Sequence, residues 1–109
     1  MPELTLERGP FTITISAEYD DCPPCDEYYD GFAAEIERAV DRYGVWGWGV
    51  VCVTAHYMEL STSVYMGGCS YKSADDFIAE GGYAEDMITE AIVDLRIKIG
   101  AFIEAASKL

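Results

Sequence analysis

The stretch WGWGVVCVTAHYMELSTSVYMGGCSY, residues 46–71, decides the fold. It holds both tryptophans, two of the four cysteines and the single histidine, in the densest aromatic and β-branched run of the chain. Its first half alternates as a strand does, successive side chains pointing to opposite faces. Trp46, Trp48, Val50, Cys52, Thr54 and His56 share one face; Val51, Val53, Ala55 and Tyr57 share the other. Gly47 and Gly49 fall on that second face, where they either admit a close neighbour or mark a bulge. A turn is expected over residues 59–63. A return strand over 64–71 is weakened by Gly67 and Gly68. The reading is a β-hairpin, with strands at about 46–58 and 64–71, at the centre of a sheet.

Upstream, residues 11–18 (FTITISAE) alternate strictly, Phe11, Ile13, Ile15 and Ala17 against Thr12, Thr14, Ser16 and Glu18. This predicts a half-buried strand, punctuated at its start by Gly9 and Pro10. Residues 3–7 either extend it or form a short flanking strand. Residues 19–31 (YDDCPPCDEYYDG) read as an acidic loop, because paired prolines suit neither a ladder nor a helix interior. Phe32, Ile36, Ala39, Val40 and Tyr43 then recur at helical spacing. A helix over 26–43 follows, with Gly31 a kink or late start and Gly44 a stop.

Downstream, Ser73 is an N-cap with acids behind it, which suits the positive end of a helix over 74–80. Gly81 and Gly82 end it. A long helix is expected over 83–107, where Ile88, Ile92, Leu95, Ile99, Phe102 and Ala106 form one apolar stripe. At roughly 37 Å it exceeds what so small a domain needs. Its end would then project and pair with another copy, as a homodimer. Alternatively, Val93 and Ile97, which lie off the stripe, are merely exposed or touch the short helix. The fold class is α+β: one domain spanning 1–109, a short antiparallel sheet with helices packed on one face.

Net charge is −13 over 109 residues, unevenly placed. Residues 18–41 carry Glu18, Asp20, Asp21, Asp26, Glu27, Asp30, Glu35, Glu37 and Asp41 against Arg38 alone, a charge of −8. Residues 75–94 carry Asp75, Asp76, Glu80, Glu85, Asp86, Glu90 and Asp94 and no base, a charge of −7; the remainder is +2. Such a balance disfavours direct contact with nucleic acid or an anionic membrane and favours a basic protein partner. No apolar run reaches the eighteen or so residues that span a bilayer. The first residues lack a basic-then-apolar leader pattern, so a cytoplasmic protein with reduced cysteines is expected.

Catalytic motifs are weak. Cys22 and Cys25 form a C-x-x-C pair, a candidate half of a zinc site that Cys52, Cys69 or His56 would complete. The other cysteines are not a close pair, and Cys52 sits where a cysteine is ordinarily a small buried hydrophobe. Redox work by the pair is opposed by Asp20, Asp21, Asp26 and Glu27, which would raise thiol pKa values. His56 is about 13 Å from Cys52 along the strand, too far for a nucleophile–base pair. A histidine satisfied by hydrogen bonds is the plainer expectation. The glycine pairs lack the lysine and serine of a phosphate cradle. No enzyme activity and no cofactor are expected.

The acidic windows are either a solvated surface or a face resembling nucleic acid. Helical carboxylates three or four residues apart stand about 5–6 Å from each other, close to successive phosphates on a strand. Asp86, Glu90 and Asp94 make such a row, and Glu37 and Asp41 a shorter one. The candidate partner-binding residues are therefore all seven acids of the second window. In the first they are Asp20, Asp21, Asp26, Glu27, Asp30, Glu37 and Asp41, with Tyr28 and Tyr29 as contact area among them.

From Trp46 to about Leu95 the chain resembles a family of small acidic proteins encoded by bacteriophages and prophages. The shared pattern is W-G-W at 46–48, V-x-V-T-A at 51–55, G-G-C-S-Y at 67–71 and acid-acid-Phe at 75–77. Gly49 departs from it, standing where a bulkier residue, often cysteine, is expected. The resemblance covers about half the chain and transfers no catalytic residue. It implies a helix on either side of the hairpin. It also implies an inhibitor of host defence, with an anti-CRISPR protein or DNA mimic as the leading form and a CRISPR–Cas effector as the leading partner.

Overall fold

The computed structural model describes residues 3–20, 30–80 and 82–109, and for residues 30–33 and 80 the backbone alone. Four strands, β1 (Leu4–Arg8), β2 (Phe11–Tyr19), β3 (Gly49–Tyr57) and β4 (Leu60–Cys69), form one antiparallel sheet in sequential order. Helix α1 (Asp30–Tyr43) lies between β2 and β3, and α2 (Ala74–Glu80) and α3 (Tyr83–Ala106) follow β4. The class is α+β. Residues 4–8 form the separate flanking strand.

The alternation sorts the sheet's two faces. Phe11, Ile13, Ile15, Val51, Val53 and Ala55 are buried. They share one core with Phe77 of α2 and with Ala84, Met87, Ile88, Ala91 and Leu95 of α3. Polar contacts seat α3 on this face: Thr62 Oγ1 donates to the Ala91 carbonyl at 2.6 Å, and Lys98 Nζ to the Ser61 carbonyl at 3.0 Å. The Arg96 guanidinium sits 5.5 Å from the centre of the Phe11 ring. Removing α3 would expose most of the apolar area that holds the sheet in its folded form.

Three boundaries differ from the sequence reading. Trp46 does not begin a strand: residues 44–47 form a 3-10 turn, and β3 starts at Gly49. The cause is close packing. A Cβ on Gly47 would collide with the Ala39 backbone and stand 2.6 Å from Val40 N, so α1 rests directly on the turn. A Cβ on Gly49 would stand 2.8 Å from the Glu18 carbonyl and strike that of Val45. Gly49 also marks an irregularity in the β3–β4 register, between Gly49 and Val51. Both roles anticipated for these glycines are therefore filled, and Trp46 swings out of alternation into the core.

The hairpin turn is tighter than expected. Tyr57 pairs with Leu60, so Met58 and Glu59 alone connect the strands, and β4 starts at residue 60 rather than 64. Helix α1 starts at Asp30; the expected residues 26–29 lie outside the described part. It stops at Gly44, whose φ of +65° is the left-handed C-terminal conformation. The molecule measures 59 × 26 × 23 Å with a radius of gyration of 16.7 Å. A compact chain of this length would have about 13 Å. Helix α3 supplies an exposed end: residues 100–109 are exposed throughout.

Candidate interaction surfaces

The acids divide into those the fold uses and those it leaves free. Asp76 is used. Ser73 Oγ accepts the Asp76 N–H at 3.2 Å, and Asp76 Oδ2 accepts the Lys72 N–H at 3.0 Å, a reciprocal cap on α2. Asp20 is used as well, its Oδ2 accepting the Gly68 N–H at 2.7 Å and so bracing the end of β2 to β4. Glu85 pairs with Arg8 at 3.0 Å, both side chains substantially exposed. Asp75, Glu85 and Asp86 stand in the first turns of α2 and α3, where the helix dipole already favours an anion.

Glu90 and Asp94 have no such reason. With Asp86 they form an exposed line at i, i+4 and i+8 along α3. Among the described residues the ion pairs are Arg8–Glu85 and Glu104–Lys108, so no cation neutralises this line. Like charges four apart cost a helix about 0.2–0.5 kcal/mol per pair. The line contains two such pairs.

The first window is less uniform. Glu37 and Asp41 are exposed on α1, but Arg38 is exposed beside them and Arg42 lies over the Tyr43 ring at 5.4 Å. Asp30 opens α1 and Glu80 closes α2, their side chains outside the described part. Asp21, Asp26, Glu27, Tyr28 and Tyr29 lie outside it altogether, as do Cys22 and Cys25.

The sheet face turned from the core carries Thr12, Thr14, Ser16, Cys52, Thr54, His56 and Ser63. His56 Nε2 lies 2.9 Å from Thr14 Oγ1, and Thr54 Oγ1 lies 2.8 Å from Ser63 Oγ and 3.5 Å from Cys52 Sγ. The histidine ring is partnered by the Thr14 hydroxyl. Cys52 is half-buried on this face rather than in the core; among the described residues the buried thiol is Cys69. Burial pushes the Cys69 pKa up, a hydrogen bond with the Val51 backbone pulls it down, and the Asp20 carboxylate adds to the rise. Among the described residues no three His, Cys, Asp or Glu side chains gather as metal ligands.

Two grooves escaped the sequence reading. One, of about 340 Å³, runs along Met66, Gly67, Gly68, Cys69, Ser70, Tyr71 and Tyr83. The other, of about 400 Å³, lies between the β3–β4 turn and the far end of α3 and is lined by Tyr57, Met58, Glu59, Leu60, Ile99, Phe102 and Ile103. Ile99 and Phe102, both on the apolar stripe of α3, are the parts of the second that the sequence pattern signals. Among the described residues no helix is long and apolar enough to cross a membrane. No protein-family model, curated protein or solved structure matches the chain.

Proposed function

We propose that this protein is a non-enzymatic inhibitor that occupies a basic, nucleic-acid-binding surface of another protein through the acidic side of α2 and α3. The observation that carries the reading is the line Asp86–Glu90–Asp94. It is exposed, lacks a cation and costs the helix stability, so its carboxylates are available to Lys and Arg side chains that otherwise grip phosphate. The mixed charges on α1 make the second window the better face. The resemblance to phage-encoded proteins directs the reading to host defence, with a CRISPR–Cas effector as the first target to try.

The test titrates the protein into a purified Cas effector complex and measures target-DNA binding. Inhibition is expected, weakening as salt rises. The triple variant Asp86→Lys, Glu90→Lys, Asp94→Lys should lose at least tenfold in potency with its melting transition still cooperative. Unchanged potency would exclude this face. Without inhibition of any effector, recovery of nucleic-acid-binding proteins from a bacterial lysate by the wild type and not by the triple variant would keep the partner class and discard the target.

A further inference from the structure

The two outer strands of the sheet are unlike. Strand β1 is short, carries Glu7 and Arg8, and is followed by Gly9 and Pro10, features that discourage further pairing. Strand β4 is twice as long and has neither charge nor proline. Its register with β3 tells which backbone groups it leaves over. The two-residue turn makes Tyr57 and Leu60 a hydrogen-bonded pair, and antiparallel alternation then directs Leu60, Thr62 and Val64 towards β3 and Ser61, Ser63 and Tyr65 outward. The Ser61 carbonyl does point outward, since Lys98 Nζ donates to it at 3.0 Å. Among the described residues no hydrogen bond engages the backbone N–H or C=O of Ser63 or Tyr65. Outward N–H and C=O groups thus stand side by side, repeating about every 6.8 Å. Another extended backbone is what offers donors and acceptors at that repeat.

Helix α3 selects the charge of that backbone's side chains. Thr62 bonded to the Ala91 carbonyl and Lys98 reaching Ser61 mark the flank of α3 that looks over this edge. Arg96 over Phe11 and Glu85 beside Arg8 mark the opposite flank, over β2 and β1. Asp94 stands one turn before Lys98 and Glu90 one turn before Asp94, so both carboxylates lie on the β4 flank, exposed. A strand laid beside β4 turns every second side chain towards α3, and Lys or Arg at those positions meets Glu90 and Asp94. A second copy is opposed by the same geometry. Antiparallel pairing of two β4 strands about a two-fold axis would put both α3 helices on one face, with their acidic flanks confronting each other across the seam.

The geometry points to β4 as a docking edge for an extended segment of a partner protein, with Lys or Arg at alternate positions, added as a fifth strand beneath Glu90 and Asp94. This deepens the proposed function, on which the choice of a nucleic-acid-binding partner rests; the strand form of the segment rests on the edge alone.

The probe is a labelled peptide of about eight residues alternating threonine and lysine, followed by fluorescence anisotropy in about 50 mM salt, where screening is weak. Saturable binding with a dissociation constant below about 100 μM is expected. Methylating the backbone nitrogens of one alternate set of residues should weaken it about tenfold or more, and methylating the other set less than about twofold, because a strand turns only every second N–H towards its neighbour. Equal effects of the two sets would mean attraction of a basic peptide to an acidic protein and no more, and would overturn the inference. Amide hydrogen exchange at Ser63 and Tyr65 should slow severalfold with peptide bound, a change that charge alone does not produce. Ser63→Pro removes an outward N–H without touching the ladder to β3, and should abolish binding with an unchanged circular dichroism spectrum. The methylated peptides make the same test on the unaltered protein. A concentration-dependent dimer that Ser63→Pro dissociates would give the edge to a second copy and discard the partner strand. Effector inhibition that survives Ser63→Pro but not the triple lysine variant would keep the proposed function and reject strand addition; peptide binding of the expected pattern without inhibition of any effector would do the reverse.

Discussion

The ring of Phe77 lies 6.1 Å from that of Trp46 and 5.0 Å from that of Tyr71, edge-on to the latter. Phe77 is fully buried, and it ties α2 to the 3-10 turn and to the segment leaving β4. The Tyr71 N–H donates to the Trp46 carbonyl at 2.7 Å, and the Trp46 indole N–H donates to the Glu3 carboxylate. One aromatic cluster thus joins the first strand's approach, the turn and α2.

Phe77→Ala should therefore cost about 3–5 kcal/mol, a large share of the 5–15 kcal/mol available to a typical domain. Urea unfolding followed by tryptophan fluorescence measures it. A loss below about 1 kcal/mol would show that the cluster is not packed as described.

Gly47→Ala tests the approach of α1 to the 3-10 turn. The added methyl meets backbone, which cannot rotate away, so a loss of about 1–3 kcal/mol is expected. Gly9→Ala is not a suitable control, because φ there is +58° and strain enters by a different route.

Cys69 gives the protein a pH dependence whose sign is fixed. Its folded pKa lies above the ordinary value of 9.0. The stability this confers is complete below pH 9 and is lost as pH climbs through the folded value, because the unfolded chain ionises first. The difference in urea midpoint between wild type and Cys69→Ala should shrink between pH 8 and pH 10.5, a window placed about either side of the thiol's ordinary ionisation. Cys52 is common to both proteins and cancels.

Glu90→Gln removes the middle of the acidic line and relieves both like-charge pairs. Stability should rise by about 0.4–1 kcal/mol in low salt, and the gain should fade as salt screens the repulsion. If the melting temperature drops instead, Glu90 makes a stabilising contact and the line is not free.

Elements whose signal is periodic could be read from the residues: β2 from its strict alternation, α3 from its stripe, and the start of α2 from Ser73. Elements set by close approach could not. Nothing in W-G-W says that α1 will rest on Gly47, so the tryptophans look like one strand face when Trp46 is in the core. The two-residue hairpin turn carries no local signal, because Met58 and Glu59 lack the glycine or asparagine such a turn favours, while turn-forming serines follow them. For the candidate site, composition located the charge but not its use. Asp20 and Asp76 look like their neighbours, yet each is engaged with a backbone N–H. The groove at Met58 and Phe102 depends on where the sheet stops relative to α3, a length relation that neither segment encodes alone.

Strand β4 is at the margin of the sheet, with no strand beyond it among the described residues. Its sequence, LSTSVYMGGC, contains no charged residue and no proline. An edge of that kind is a template for the strand of another molecule, and proteins usually blunt it with lysine, proline or a kink. Here the blunting is left to Gly68, which turns to φ +65°, and to the mutual repulsion of highly anionic molecules. Near the isoelectric point of about 4.1 that repulsion vanishes. Aggregation with β-rich character, seeded along β4, is then the expected fate of the protein in mild acid.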